Sequence, residues 1–321
     1  MNDKIRDNII ATIRDCIPEK ENLTNFLSDT LNIGRESAYR RVRGEINFTF
    51  DEVIKLSQTL NFSIDNIIGI KKNENALFNI HMLKDMDYID IYVNKMIEYG
   101  AMFRSMSERT ETKARISANT LPYFFHIGYK TLSKFRIFKW LYQNQKIPSN
   151  NKFVDFILPQ KVLEAHDIFH KDIQTIKNIT FIMDSNVFRT VAKDIVYFYK
   201  RGLLSESDVD TLKAELHDII NKIEKMATSG FSPNNAKLDM YISAVDFEAS
   251  YLHFEFGDHQ FSQVRIFSIS AIDSFNVSLC KIQKEWIESL KRYSVLISES
   301  GEMQRFEYMN KQREIIDRIS K

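Results

Sequence analysis

In the first seventy residues, apolar side chains recur at helical spacing in short runs that helix-capping residues separate. This pattern restricts the fold more than any other feature of the chain. A first helix ends before Pro18 and carries its apolar stripe at Ile5, Ile9, Ile10, Ile13 and Ile17. A second helix begins near 22–24, where Asn or Thr can cap it, and ends before Asn32, a residue type that tolerates the left-handed turn conformation. A third helix lies between Gly34 and Gly44.

Two further helices complete this unit. Thr49 and Glu52 have the spacing of a capping box at the start of the fourth helix, and Ser63 can cap a short fifth helix in the same way. Five short helices within seventy residues predict a compact, all-α N-terminal domain over residues 1–70.

The third helix has two different faces. It carries four arginines within nine residues. At 100° per residue, one arc of about 140° contains a set of long polar side chains. The set is Arg35, Glu36, Tyr39, Arg40 and Arg43. Ala38 and Val42 lie on the opposite side, where we expect them to anchor the helix in the core.

These features together resemble a known family. The segment LTNFLSDTLNIGRESAYRRVRGEINFTFDEVIKLSQTLNFSIDNI resembles the lambda-repressor-like (xenobiotic-response-element-type) helix-turn-helix domains of bacterial and phage regulators. Ser28 stands at the family's small helix-packing position, and Asn32 at its turn glycine. Arg43-Gly44 matches the end of its recognition helix. Two residues depart from the pattern: Thr24 replaces a frequent glutamine, and Arg41 stands where an apolar residue is common. We expect the Arg41 stem to lie at the flank of the buried face with its charge in solvent.

The resemblance implies a DNA-binding role for this domain. The third helix would enter the major groove of double-stranded DNA while the second crosses the backbone. The implied base contacts are Arg35, Glu36, Tyr39 and Arg40, because arginine can grip guanine and glutamate can accept from cytosine. The implied phosphate contacts are Thr24, Ser37 and Arg43. The chain is therefore expected to be a transcriptional regulator that binds DNA as a homodimer.

The charge count leaves an alternative open. Residues 1–70 contain nine Lys and Arg and eleven Asp and Glu, a net charge of −2, although residues 35–43 alone carry +3. Counterion release by one copy would therefore be modest, and pairing of two half-sites by a dimer would compensate. The arginines could instead form a solvated face paired with Glu36 and Glu45. The domain would then be a protein-interaction module that keeps the helical scaffold without binding DNA.

The rest of the chain predicts a second region, 76–321, which mixes helices with α+β structure and is expected to serve dimerisation and sensing. A polar stretch at 71–75 is the candidate linker, and short strands are expected at 76–82 and 114–118. Helices are expected near 85–107, 123–142, 160–177, 186–201 and 206–228. After a break at 229–235, where the region could subdivide, alternation of period two predicts strands at 238–245, 251–256 and 264–272. Helices at 276–297 and 302–319 close the chain. The predicted fold class is mainly α with some β, with a short antiparallel sheet near the C-terminus.

Composition limits where the chain works. Cys16 and Cys280 are too far apart in sequence to suggest a disulfide framework or a set of metal ligands, which suits a reducing compartment. The N-terminus has no apolar signal region, and no run approaches 18 apolar residues, so no membrane partner is expected. We expect a cytoplasmic protein.

Patterns for other chemistry are weak. The nine glycines form no phosphate-binding motif and no nucleophile elbow, so we expect neither an enzyme nor a cofactor. His166 and His170 could share a metal with Asp167 or Glu164, but a third ligand cannot be named, so no metal is expected. Whether the chain binds a small-molecule effector is left open by the sequence. Its pocket would lie between the face of Tyr251, His253 and Glu255 and the helix that carries Phe124, Phe125 and Tyr129. The same aromatic residues could equally be plain core or a dimer interface.

Overall fold

The structure of the chain is a computed structural model. It describes residues 3–17, 22–60, 62, 64, 78–80, 87–107, 112–257, 259–266 and 269–319. The chain divides into two compact units, Met1–Leu77 and Phe78–Lys321. Its fold class is mixed α/β.

The first unit is helical in its described part. Its helices are α1 (Asp3–Cys16), α2 (Leu23–Leu31), α3 (Arg35–Val42) and α4 (Phe50–Leu60). They bury one apolar core, made of Ile9, Ile13, Leu27, Ala38, Phe48, Val53 and Leu56. Phe62 and Ile64 pack against this core. The rest of the predicted fifth helix and the predicted linker at 71–75 lie outside the described residues.

The second unit is built on one mixed sheet. Its strands are β1 (Asn79–Ile80), β2 (Thr112–Ala118), β3 (Asn178–Met183), β4 (Lys237–Ser243), β5 (Tyr251–Phe256), β6 (His259–Ile266), β7 (Ser270–Ser274) and β8 (Ser294–Leu296). Across the sheet their order is β1-β7-β6-β5-β2-β3-β4-β8. The pairs β2–β3 and β3–β4 are parallel, and the other described pairs are antiparallel.

Helices cover both faces of this sheet. They are α5 (Tyr88–Ser107), α6 (Tyr123–His126), α7 (Lys130–Gln143), α8 (Gln160–Ile173), α9 (Arg189–Lys200), α10 (Glu206–Ser229), α11 (Val277–Leu290) and α12 (Glu302–Asp317). One large core joins the sheet to all of these helices except α11. On the opposite face, α11 buries Ile287 and Leu290 in a small cluster with Ile182 and Phe247.

The sheet is larger than the short C-terminal antiparallel sheet that we predicted, because strands before residue 238 join it. The sequence pattern does not predict the strand β3. It lies between two helices that the pattern does predict, near 160–177 and 186–201. Its Ile179, Phe181 and Met183 enter the large core, while Ile182 enters the cluster under α11. Since both faces of this central strand are covered, its apolar residues do not alternate with polar ones, and the period-two pattern is weak.

The helix predicted over 123–142 is broken into α6 and α7, which a turn at Ile127 and Gly128 separates. A residue distant in sequence stabilises the new helix start. Both carboxylate oxygens of Glu215, on α10, accept hydrogen bonds from the backbone amides of Thr131 and Leu132, at 3.0 and 2.7 Å. These amides have no partner within the helix, so a carboxylate at this position caps it.

Two predicted elements near the C-terminus are divided. The strand expected at 264–272 is the end of β6 and the start of β7, which pair with each other. The helix expected at 276–297 stops at Leu290, and after a 3₁₀ turn at Lys291–Tyr293 the chain forms β8. This short strand pairs with β4, whose edge supplies the hydrogen-bond partners that would otherwise be lacking.

Candidate functional site

A tight turn joins α2 to α3, and local side chains determine its geometry. The side chain of Asn22 caps α2 by accepting a hydrogen bond from the backbone amide of Thr24 at 2.9 Å. At the other end of α2, Asn32 adopts the left-handed conformation, with φ 53° and ψ 47°. The Ser28 hydroxyl donates to the carbonyl oxygen of Ile33 at 2.8 Å. These contacts lead the chain directly from α2 into α3.

The buried side of α3 differs from the predicted one. Ala38 is fully buried, as expected, but the second buried residue is Arg41, which is 8% exposed. Val42 is only half-buried. The prediction that the Arg41 charge reaches solvent is therefore wrong. The physical reason is a carboxylate partner on α4, which allows the guanidinium to stay inside.

The Arg41 guanidinium makes a two-point ion pair with Glu52. Its Nη2 and Nε atoms lie 2.8 and 3.2 Å from the two carboxylate oxygens. Its Nη1 donates to the Ser37 hydroxyl oxygen at 2.6 Å. The same Glu52 carboxylate accepts from the Thr49 amide at 2.9 Å, while the Thr49 hydroxyl accepts from the Glu52 amide at 3.2 Å. The predicted capping box of α4 therefore forms, and it also holds α3.

The C-terminal end of α3 closes at Gly44. The Gly44 amide donates to the Arg41 carbonyl at 3.0 Å, and the Glu45 amide donates to the Arg40 carbonyl at 2.9 Å. This hydrogen-bond pattern needs a left-handed residue, and Gly44 supplies it with φ +75°. From α1, the Arg6 Nη1 donates to the Gly44 carbonyl at 3.0 Å, which fixes the end of α3 on the first helix.

Five of the seven predicted DNA contacts lie together on the exposed face of α3. They are Arg35, Glu36, Tyr39, Arg40 and Arg43. Thr24 and Ser37 are half-buried. The Ser37 hydroxyl accepts a hydrogen bond from Arg41 and keeps its own O–H, which is the group that could donate to a phosphate. The α3 surface, as we name these five exposed residues, is the part of the predicted site that the fold brings together.

A carboxylate lies next to two arginines of the α3 surface. The Glu45 side chain is 3.4 Å from the Arg40 Nε and 3.2 Å from the Arg43 Nε. The Arg43 guanidinium also stacks over the Tyr39 ring, 5.7 Å from its centroid. All of these groups are exposed, so each pair contributes little to stability. In the described part of the chain Arg35 has no such partner.

The second unit contains an apolar cavity of about 180 Å³ between the sheet and the helices α5, α6, α7 and α8. Aromatic and aliphatic side chains make up most of its wall, and among the described residues that line it there is no Asp or Glu. Its charged lining residues are Lys95 and Arg265. Lys95 pairs with Glu98 at 2.5 Å, and Glu98 is mostly exposed. Arg265, the other charged lining residue, is half-buried.

The predicted pocket face of β5 is wrong in part, because Leu252 and Phe254 line the cavity rather than His253 and Glu255. His253 is fully buried on the α11 side of the sheet, and burial lowers its pKa to about 4. Burial would raise the pKa of Glu255, but hydrogen bonds from Lys284 and Arg115 lower it to about 2. Tyr251 does reach the cavity and Phe124 lines it as predicted, whereas Phe125 and Tyr129 do not line it.

Two arginines meet at Tyr123, at the side of the cavity. The guanidinium carbons of Arg136 and Arg265 lie 5.1 and 5.0 Å from the centroid of the Tyr123 ring. His126, which is 1% exposed, has a ring centroid 5.0 Å from the same ring. Burial first, and then the positive charges of both arginines, lower its pKa well below the ordinary value. These four residues, the Tyr123 cluster, were not singled out from the sequence, because no spacing pattern connects them.

The histidines that could have shared a metal have other partners. The Nε2 of His166 shares a hydrogen bond of 2.7 Å with the Tyr92 hydroxyl. The Nε2 of His170 lies 3.0 Å from the side-chain nitrogen of Gln174. Burial lowers the pKa of His166 to about 4. Over the described ranges, no three His, Cys, Asp or Glu side chains come close enough together to hold a metal ion.

Comparison with known proteins adds no assignment. We compared the chain with protein-family models, with curated proteins and with solved structures, and none of them matches it. Across the helices whose placement the structure describes, no apolar stretch reaches the length that a bilayer crossing needs.

Proposed function

We propose that this chain is a sequence-specific DNA-binding transcriptional regulator. Its first unit would act as a helix-turn-helix domain that inserts α3 into the major groove. The observation that carries the proposal is the two-sided character of α3. Its buried side is fixed to the core by Ala38 and by the Arg41–Glu52 ion pair. Its other side presents the α3 surface to solvent, with side chains that can bind base edges and phosphates.

The turn geometry supports this proposal independently of charge. Helix-turn-helix proteins need a short, rigid connection that sets the angle between the two helices. Here Asn32 adopts the required left-handed conformation, and the Ser28 hydroxyl ties the turn to the end of α2. Both residues stand at positions where the resemblance to lambda-repressor-like domains places a turn residue and a small residue.

In the proposed complex each residue of the α3 surface has a role. Arg35, Glu36, Tyr39 and Arg40 contact base edges, and Arg43 contacts the phosphate backbone together with Thr24 and Ser37. Glu45 must release Arg40 and Arg43 as they turn towards DNA. The second unit dimerises the protein and binds an effector. Two copies of α3 would then lie roughly 34–36 Å apart, one turn of DNA.

A protein-interaction module is the second candidate. The net charge of −2 over residues 1–70 and the pairing of Glu45 with two arginines of the α3 surface favour it. A salt titration separates the two functions, because phosphate contacts make DNA affinity fall steeply with salt. The absence of measurable DNA affinity at low salt would favour the interaction module.

The base contacts are tested by electrophoretic binding of the full chain to the DNA upstream of its own gene and to a randomised library. Arg35→Ala and Arg40→Ala should each change the selected sequence and lower affinity by about 1–3 kcal/mol. Arg14→Ala is the matched control, because it removes an exposed arginine from α1, outside the α3 surface. An unchanged sequence preference in both α3 variants would remove these residues from the base contacts.

A further inference from the structure

The Tyr123 cluster contains two half-buried guanidinium groups, those of Arg136 and Arg265. The Arg265 Nη1 donates to the Thr120 hydroxyl at 2.9 Å. Neither Arg265 nor Arg136 has a carboxylate partner within the described part of the chain. Buried or half-buried arginines are normally paired, since desolvating a guanidinium is costly. Here the two guanidinium groups share one tyrosine ring instead, and they repel each other.

Several buried polar atoms of the second unit, two groups of the Tyr123 cluster among them, have no hydrogen-bond partner among the described residues. They include the Nε of Arg136, both ring nitrogens of His126, the Nδ1 of His166 and the indole Nε1 of Trp140. Buried polar groups in native proteins nearly always have a partner. Trp140 is 4% exposed and also lines the cavity. Its N–H can only donate, so what it lacks is an acceptor.

The cavity beside the Tyr123 cluster is mostly apolar. Apart from Lys95 and Arg265, the described residues of its wall are uncharged, with Met96, Phe103, Phe169 and Phe254 among the apolar ones. An apolar chamber with a few convergent polar groups at one side is the usual form of a small-molecule site. A ligand that fits both parts would have an apolar body and a compact anionic head.

We propose that this cavity binds a small amphipathic anion, with its apolar body against Phe103 and Phe254 and its carboxylate, sulfonate or phosphate head at Arg265. Arg136, whose guanidinium also lies against the Tyr123 ring, adds positive potential. Trp140 can donate a further hydrogen bond. An oxyanion supplies several acceptors at once, so one head group can accept from Arg265 and from the unpartnered N–H of Trp140, both of which line the cavity. Charge-assisted hydrogen bonds from arginine are the strong kind. This site concerns the second unit alone, and it stands or falls independently of DNA binding.

The Arg265 cation persists at neutral pH. Burial and the nearby Arg136 lower its pKa only to about 10. The head-group site is therefore positive throughout the physiological range. The site therefore favours a ligand whose head group stays negative at neutral pH, and it disfavours a cationic amine.

The test uses a pair of fluorescent probes that differ only in the anionic group. 8-Anilinonaphthalene-1-sulfonate carries a sulfonate, and N-phenyl-1-naphthylamine has the same aromatic body without it. The full chain should bind the sulfonate probe saturably and at least about tenfold more tightly than the neutral probe. Arg265→Gln should remove most of that difference and leave the neutral probe unaffected. Arg265→Lys should restore part of it.

Arg292→Gln is the matched control, because Arg292 is exposed and lies outside the cavity lining. It should leave both affinities at the wild-type value. A circular dichroism melt of each variant checks that the sulfonate probe is not reporting unfolded protein. Equal binding of the two probes by the wild-type chain, or equal sulfonate affinity in wild type and Arg265→Gln, would overturn the proposal.

A second measurement needs no variant, so it decides the matter even where a substitution prevents folding. Octanoate, octyl phosphate and 1-octanol are used to displace the bound sulfonate probe from the wild-type chain. Displacement by either anion at concentrations where 1-octanol has no effect supports the site, and the stronger anion identifies the head group. Displacement by 1-octanol as effective as that by octanoate would contradict it.

Discussion

The guanidinium of Arg41 and the carboxylate of Glu52 form a two-point ion pair, at 2.8 and 3.2 Å, in which both side chains are mostly buried. This pair joins α3 to the capping box of α4. It separates two kinds of arginine on one short helix: Arg41 supports the fold, whereas Arg35, Arg40 and Arg43 remain available at the surface.

Arg41→Met is therefore expected to destabilise the first unit. The substitution keeps the apolar stem but leaves the Glu52 carboxylate without its cation, which should cost about 2–3 kcal/mol. Arg40→Ala, the matched control, should change stability by less than about 0.5 kcal/mol, because its ion pair with Glu45 is exposed. Hydrogen exchange of the α3 and α4 amides measures both effects. Equal protection in the two variants would show that Arg41 is not a structural residue.

Asn32 is expected to matter through its backbone conformation. Because its φ is 53°, Asn32→Ala should lower the stability of the first unit by about 1 kcal/mol. Asn32→Gly should stay within about 0.5 kcal/mol of wild type, since glycine adopts this conformation readily but is more flexible when unfolded. Thermal unfolding monitored by circular dichroism measures the difference. Asn25→Ala, at an exposed position on α2, is the control for loss of an asparagine side chain.

Glu45→Gln is expected to strengthen DNA binding if the proposed function is correct. It removes the carboxylate that pairs with Arg40 and Arg43 and that would approach the phosphates. Affinity at low salt should rise by about threefold to tenfold, as for a favourable phosphate contact. Asp29→Asn removes one exposed negative charge from α2 instead, and it controls for net charge. If both variants gain equally, the effect is general electrostatics and not release of the α3 surface.

The second unit should lose stability as the pH falls from about 6.5 to about 4. Burial lowers the pKa of His166 and His253 to about 4, and that of His126 well below its ordinary value. In this window the unfolded chain binds protons that the folded chain does not bind. Each histidine therefore contributes a slope of up to about 1.4 kcal/mol per pH unit.

Urea unfolding at several pH values, followed by the fluorescence of Trp140 and Trp286, measures this slope. Both tryptophans belong to the second unit. His253→Gln should make the slope shallower, while His259→Gln, at an exposed position, should not. A stability that is constant between pH 6.5 and 4.5 would contradict the burial of neutral histidines.

Local sequence patterns were sufficient where the interaction itself is local. The capping box of Thr49 and Glu52 forms as its spacing predicts, Asn22 caps α2 within the predicted range, and Asn32 adopts the left-handed turn. Most helices of the second unit also lie within a few residues of their predicted bounds. In each case the interacting residues lie within a few positions of one another in the sequence. A local sequence pattern is therefore enough to predict the contact.

Contacts between residues far apart in the sequence account for the features that the sequence patterns did not predict. The start of α7 depends on Glu215, 83 and 84 positions further along the chain, and β8 depends on the edge of β4. The meeting of two arginines at Tyr123 also depends on contacts between residues far apart in the sequence. Arg136 and Arg265 belong to different elements, and only folding brings both to Tyr123.

By itself, the sequence determined the four described helices of the first unit, the turn at Asn32 and the face of α3 that exposes Arg35, Glu36, Tyr39, Arg40 and Arg43. The tertiary structure alone decided that Arg41 is internal, that the eight described strands share one mixed sheet, and that two arginines meet at Tyr123 beside an apolar cavity. The reason is physical. Periodicity and capping report the surroundings of a residue along the chain, whereas burial of a charge depends on the partner that folding brings to it.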